Sequence, residues 1–207
     1  MSTRFQAAVW LVVFGFVTLA GCTREPVMSP PPPPVAAIPA PPPAAPVTPD
    51  HLLLEQALQG RPLPPREALR LSNRMLREGS PNFNHEKTMA RLELLLLKAL
   101  QANDPHSRAG LLRNVGIIHY YQKQYKRARQ ELQASNELNP RDARTHFYLA
   151  RLFAHQECLY RRQGWHKKAR SRAKLAKIEL ELARKLDPGN PLYRQNLQEI
   201  LRQEQAL

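Results

Sequence analysis

The sequence predicts an all-α protein: helical hairpins forming a short solenoid, one of them elongated, closed by a C-terminal capping helix. Three observations predict it. Twelve of the 20 prolines lie between Pro26 and Pro49, which leaves the rest of the chain free to form regular structure. Beyond Asp50, apolar residues recur at three- and four-residue steps, and no run alternates apolar with polar for long enough to make a sheet. The later prolines and glycines fall where helices would start and stop.

The chain opens MSTRFQAAVWLVVFGFVTLAGC. Arg4 precedes an apolar run from Ala7 to Ala20, which is short of the roughly 20 residues a membrane span needs. A charged start, an apolar middle and small residues at the end have the form of a secretory signal. Leu19-Ala20-Gly21-Cys22 resembles the lipobox of bacterial lipoproteins. That resemblance implies that residues 1–21 are removed and that Cys22 carries a diacylglyceryl group as the acylated N-terminus. Thr23 stands where an aspartate retains enterobacterial lipoproteins in the inner membrane. Its identity therefore points to the periplasmic side of the outer membrane, with the inner membrane as the alternative. Cys158 is the only other cysteine, so lipidation of Cys22 leaves no intramolecular disulfide. A small core residue is the expected role for Cys158.

Residues 22–49 form the lipidated cysteine and a proline-rich tether. Proline fixes φ and removes a donor, so neither helix nor sheet can run there. Extended polyproline II of this length reaches about 80 Å at roughly 3.1 Å per residue. The tether would lift the folded part off the lipid. A proline ligand for an SH3-like domain is the other reading, and nothing flanking the prolines specifies it.

Residues 50–207 suffice for one domain with a real core. A short helix is expected after Asp50, ending by Gly60. A second starts at Pro65 and ends at Gly79, with Leu69, Ser72, Met75 and Leu76 on one face. A third runs from about Asn84 to Ala102. Its centre, LELLLLKAL, is apolar nearly all round, which predicts burial between neighbours.

The stretch AGLLRNVGIIHYYQKQYKRARQELQASNELNP, Ala109 to Pro140, resembles a tetratricopeptide repeat, a 34-residue helix–turn–helix unit. Leu112, Val115, Gly116, Tyr125, Ala128, Leu132 and Pro140 match its consensus positions. Gly116 and Ala128 are small where paired helices cross. Val115, Tyr125 and Leu132 fill the core, and Pro140 stops the second helix. His119, Lys123 and Ser135 depart from the pattern, replacing a tyrosine, the turn glycine and an alanine.

A second unit begins at Ala143, with Leu149, Ala150, Trp165, Ala169 and Pro188 in the corresponding places. Gly116 to Ala128 and Ala128 to Pro140 are each 12 residues, whereas Ala150 to Ala169 and Ala169 to Pro188 are each 19. Equal insertions of about two turns, roughly 10 Å, keep two antiparallel helices paired and lengthen the hairpin. Trp165, Ala169, Ala173, Ala176, Leu180 and Ala183 are expected to form its inner stripe, with Gly164 at the tip. A last helix from Pro191 to about Gln205, with Tyr193, Leu197, Ile200 and Leu201 on one face, reads as the cap that repeat arrays need.

RRQGWHKKARSRAKLAK, Arg161 to Lys177, falls at the tip of the long hairpin. It holds eight Lys or Arg residues and no carboxylate: Arg161, Arg162, Lys167, Lys168, Arg170, Arg172, Lys174 and Lys177. Lys167 and Lys168 sit in a first helical turn, where the dipole disfavours cations. The chain carries a formal charge of +14, which by itself would suit nucleic acid. The resemblance to an envelope lipoprotein replaces nucleic acid with anionic lipid headgroups, lipopolysaccharide phosphates or an acidic protein. A solvated face with no partner stays open.

The tetratricopeptide resemblance implies a concave face built by Arg113, Ile117, Tyr120, Tyr121, Arg144, Phe147, Arg151 and His155. Arginines interleaved with aromatics suit an extended peptide or a helix. Packing between helices is the alternative for Tyr120 and Phe147. No glycine-rich phosphate loop, nucleophile elbow or oriented histidine points to an enzyme, and no cofactor is expected. His155 and Cys158 offer two metal ligands, too few for a site. The layout is similar to that of lipoproteins that assemble outer-membrane machinery, such as type IV pilus pilotins and the repeat lipoprotein of the β-barrel assembly machine. It implies a membrane-anchored scaffold or assembly adaptor for a protein partner in an envelope complex. The alternatives are an envelope surface binder using the basic hairpin, and a regulator of a peptidoglycan enzyme.

Overall fold

The computed structural model describes residues 49–60 and 62–206. The expected signal peptide, Cys22 and the tether lie outside the described residues. Among the described residues every regular element is helical. The α-helices are α1 (Pro49–Leu58), α2 (Pro65–Met75), α3 (Glu86–Gln101), α4 (Pro105–Tyr121), α5 (Tyr125–Leu138), α6 (Ala143–Arg162), α7 (His166–Leu186) and α8 (Leu197–Gln205). Short 3-10 turns at Pro81–Asn84 and Pro191–Arg194 precede α3 and α8. None of the described helices is long and apolar enough to cross a membrane.

Local chemistry sets the helix ends. Pro65 and Pro105 occupy first-turn positions, where a missing N–H costs nothing. Asp142 caps α6 by accepting from the backbone N–H groups of Arg144 and Thr145. Asn196 and Glu199 form a reciprocal capping box at the start of α8. This box and Pro191 divide the single C-terminal helix that periodicity predicts into a 3-10 turn and α8.

α4 and α5 form one hairpin, α6 and α7 the next. A methyl group added at Gly116 would lie 2.7 Å from Leu132 Cγ and 3.2 Å from the Ala128 carbonyl oxygen, so only glycine allows this approach. Counted from Ala109, α4 runs 13 residues against 20 for α6, and α5 runs 14 against 21 for α7. The second hairpin is therefore longer by the same amount on both arms. Gly164 turns its tip at φ +75°. Lys123 makes the equivalent turn in the first hairpin at φ +61°, without the glycine that the left-handed region favours.

His119 and Ser135, which depart from the expected pattern, have found partners. His119 bridges Glu131 on α5, at 2.5 Å from Nδ1, and Glu93 on α3, at 3.0 Å from Nε2. Ser135 donates to the Ala109 carbonyl at 2.9 Å and lies 3.2 Å from the Thr145 hydroxyl.

Two apolar clusters share the interior. One joins α1–α4 through Leu54, Leu71, Leu92, Leu96, Val115 and Ile118. The other joins α4–α8 through Tyr120, Leu132, Phe147, Tyr148, Leu180 and Ile200. Phe83 and Tyr121 touch both clusters and stack with ring centroids 4.0 Å apart.

Four apolar residues depart from expectation. α3 is not enclosed: Leu94 and Leu97 are exposed, while α1, α2 and α4 pack on the face that carries Leu92, Leu95, Leu96 and Ala99. Trp165 is 48% exposed rather than inside the hairpin. α8 ends alongside Arg162, whose guanidinium donates to the Gln205 carbonyl at 3.0 Å, so nothing from α8 reaches the tip. On α2, Leu69 is only half-buried, and Ala68 and Leu71 are buried instead.

Candidate functional site

The eight residues expected on a concave face do come together, three of them buried and five half-buried. Ile117, Tyr120 and Phe147 are buried. α8 packs mainly on α6 and reaches Tyr120 of α4 through Glu204, and the turn before it packs on α7. Glu204, on the apolar side of α8 four residues after Ile200, supplies the central acceptor. Its carboxylate takes the Tyr120 hydroxyl and, at 2.9 Å, the Arg151 Nε–H. The Arg151 guanidinium also lies 4.9 Å from the Tyr120 ring centroid, a cation–π contact. His155 stacks on Tyr125 at 3.8 Å, with Nδ1 3.8 Å from the second Glu204 oxygen. Burial lowers the pKa of His155, against the pull of Glu204. Burial also pushes the Tyr120 phenol far above its ordinary value, so it stays a donor.

The rest of that face is closed from the other side. Arg113 donates to Asp142 at 2.6 Å and to Asn73 at 2.6 Å. Arg144 donates to the Leu76 carbonyl and lies 3.5 Å from Glu78, which also accepts the Tyr148 hydroxyl at 2.9 Å. Tyr121 stacks on Phe83, and Phe147 packs against Tyr193 at 5.1 Å. The residues expected to line an open groove for a foreign peptide are thus engaged by the chain's own α2, α6 and α8 and the segment after α2. The arginines among them are neutralised by Glu204, Asp142 and Glu78. A hint was available in the sequence: an acid on the apolar stripe of a terminal helix needs a buried cation.

Cys158 is buried, with its sulfur 3.8 Å from the Leu201 carbonyl. Burial pushes its pKa up to about 11, so the thiol is protonated at neutral pH. No cluster of metal-ligating side chains occurs among the described residues.

The basic patch is on the surface. Arg161 is held by Glu157, a buried acid on α6. Arg162 is held by the end of α8, and Arg172 lies 5.8 Å from the Phe153 ring. Lys177 lies 3.8 Å from Glu181. Lys168 sits 4.2 Å above the Trp165 ring, and Trp165 in turn packs 5.6 Å from Tyr160. Lys167, Arg170 and Lys174 are exposed and lie within 4.0 Å of no carboxylate among the described residues. Sequence reasoning missed one neighbouring feature. Ile178, Leu182 and Leu186 are 52%, 38% and 37% exposed at four-residue steps, a stripe down the outer face of α7. α8 lies mainly on α6, so it leaves this stripe uncovered.

No family model matches the chain, and no curated protein matches it.

Proposed function

We propose that the protein is a lipid-anchored, tetratricopeptide-like scaffold of the bacterial cell envelope, an assembly adaptor rather than an enzyme. In this reading Cys22 holds the chain at the membrane, the proline tether sets its reach, and stacked hairpins present a rigid recognition surface. The observation that carries the reading is the outer face of α7. Ile178, Leu182 and Leu186 form an uncovered apolar stripe at helical spacing, flanked by Lys174 and Lys185 and by the Lys177–Glu181 pair. Such a face suits an amphipathic helix whose acidic residues meet the lysines. The inner face is already satisfied within the chain, so α7 takes over the role that the concave groove was expected to play.

The test places a photo-crosslinking amino acid at Ile178 or Leu182 in the full chain within its native envelope, with Arg141 as an exposed control position. The expected result is one crosslinked envelope protein from both α7 positions and none from Arg141, with the crosslink from Ile178 abolished by Leu182→Glu and that from Leu182 abolished by Ile178→Glu. Absence of any crosslink specific to α7 would remove the basis of the adaptor reading.

A further inference from the structure

The tip of the long hairpin differs in chemistry from the α7 stripe. Leu159 is 44% and Trp165 48% exposed, and they are the large apolar side chains that the tip presents to solvent. Tyr160 backs the indole, and Lys168 lies over its face. Arg161, Arg162, Lys167 and Arg170 surround them, and the nearest acid, Glu157, is buried beneath Arg161. A shallow depression of about 500 Å³ is lined by Gly164, Trp165, His166, Lys167, Lys168 and Arg170. An amphipathic aromatic ring inside a collar of long cationic side chains is the arrangement that settles at a bilayer–water boundary. There the ring sits at headgroup depth and the cations reach phosphates.

We propose that the α6–α7 tip docks on an anionic phospholipid surface, with Trp165 and Leu159 entering the headgroup layer and Lys167, Lys168 and Arg170 pairing with lipid phosphates. This goes beyond the adaptor reading and rests only on its membrane anchor. A hairpin held to the bilayer at its tip would fix the array as a bracket between two membrane contacts, with the α7 stripe held in a constant orientation. An acidic protein is the competing occupant. The depression is shallow and the exposed side chains around it are apolar as well as basic, which favours a deformable interface over a shaped pocket.

The chain has two tryptophans, Trp10 and Trp165; lipidation at Cys22 would remove Trp10 with residues 1–21, and Trp10→Phe silences any unprocessed chain, so the emission reports on the tip alone. Purified from bacterial membranes, the Trp10→Phe protein is reconstituted into vesicles of phosphatidylcholine alone or with about one-third phosphatidylglycerol. Flotation with the neutral vesicles reports the N-terminal anchor separately. In anionic vesicles Trp165 emission shifts to the blue and acrylamide quenching falls. In neutral vesicles, and in neutral vesicles with added inorganic phosphate, it does not. Lys167→Gln, Lys168→Gln and Arg170→Gln together reduce the ratio of docked to free tips on the order of 100-fold, with an unchanged circular dichroism spectrum. The proposal is overturned if anchored protein gives the same Trp165 emission in both vesicle types. It is also overturned if free phosphate reproduces the shift, or if polyglutamate shields Trp165 while anionic vesicles do not. A chain that floats with neither vesicle loses both the anchor and the tip.

Discussion

Replacing Glu204 with alanine tests how the C-terminal helix is held. The Glu204 side chain is fully buried, and its carboxylate serves both Arg151, itself only 12% exposed, and the Tyr120 hydroxyl. Removing one partner of such a pair costs about 3–5 kcal/mol, because the other charge stays buried without compensation. The chain has an escape, since α8 is terminal and can leave. Leaving would expose Ile200 and Leu201, worth about 1.5–3 kcal/mol each. The cheaper route sets the loss, so Glu204→Ala is expected to destabilise the domain by about 3 kcal/mol. For a domain of this size that corresponds to a fall in Tm of about 6–12 °C. Thermal and urea unfolding followed by circular dichroism measure it. Arg151→Met combined with Glu204→Leu leaves no orphan charge and should recover most of the loss, a non-additivity expected of groups in contact. A Glu204→Ala protein within about 0.5 kcal/mol of the parent would refute the reasoning, as would a double variant whose loss is the sum of its parts.

Gly116→Ala is expected to destabilise by about 1–2 kcal/mol in urea unfolding, since its methyl group meets Leu132 and a backbone oxygen. Gly110→Ala should be near neutral, because the group in its way is the end of the half-buried Leu69 side chain, which can rotate. Lys123→Gly relieves a left-handed backbone and is expected to stabilise by about 1 kcal/mol, read as a rise in Tm. Stability should also fall as pH rises above about 6.5. Burial works to lower the pKa of His119, but the bonds to Glu131 and Glu93 outweigh it and raise the value; His146 is raised chiefly by its bond to Glu179. A raised folded-state pKa adds stability that is complete below the unfolded value of about 6.5 and is lost as pH climbs through the folded one. His155, lowered by burial, acts in the opposite direction. His119→Gln with His146→Gln should flatten or invert the profile of urea midpoints; a parent midpoint that rises over this range would contradict the assignment.

The hairpins were legible because their signals are local. Two 12-residue intervals followed by two of 19 residues located four helices and showed that one hairpin was longer, and the structure has those lengths. Gly164 announced the tip, and Ala143 the start of the second unit. The fate of the inner face was not legible. Tyr120 and Glu204 are 84 residues apart, and an apolar stripe on α8 reads the same whichever surface it covers. Trp165 illustrates the same limit. Its spacing matched that of Tyr125, but Tyr125 has His155 above it, whereas Trp165 lies past the end of α8.

By itself the sequence determined the helical class, the hairpin pairing, the longer second hairpin and the acid-free basic tip. Each of these follows from residues a few turns apart, through helical periodicity, capping and the small side chains that close crossings require. Only the tertiary structure decided which faces remain open. It folded the arginine–aromatic face under α8, neutralised it with Glu204, Asp142 and Glu78, and left the α7 stripe and the Trp165 tip in solvent. The reason is physical: burial of a buried cation is favourable only where a distant carboxylate can reach it, and chain topology rather than local pattern sets which carboxylate arrives.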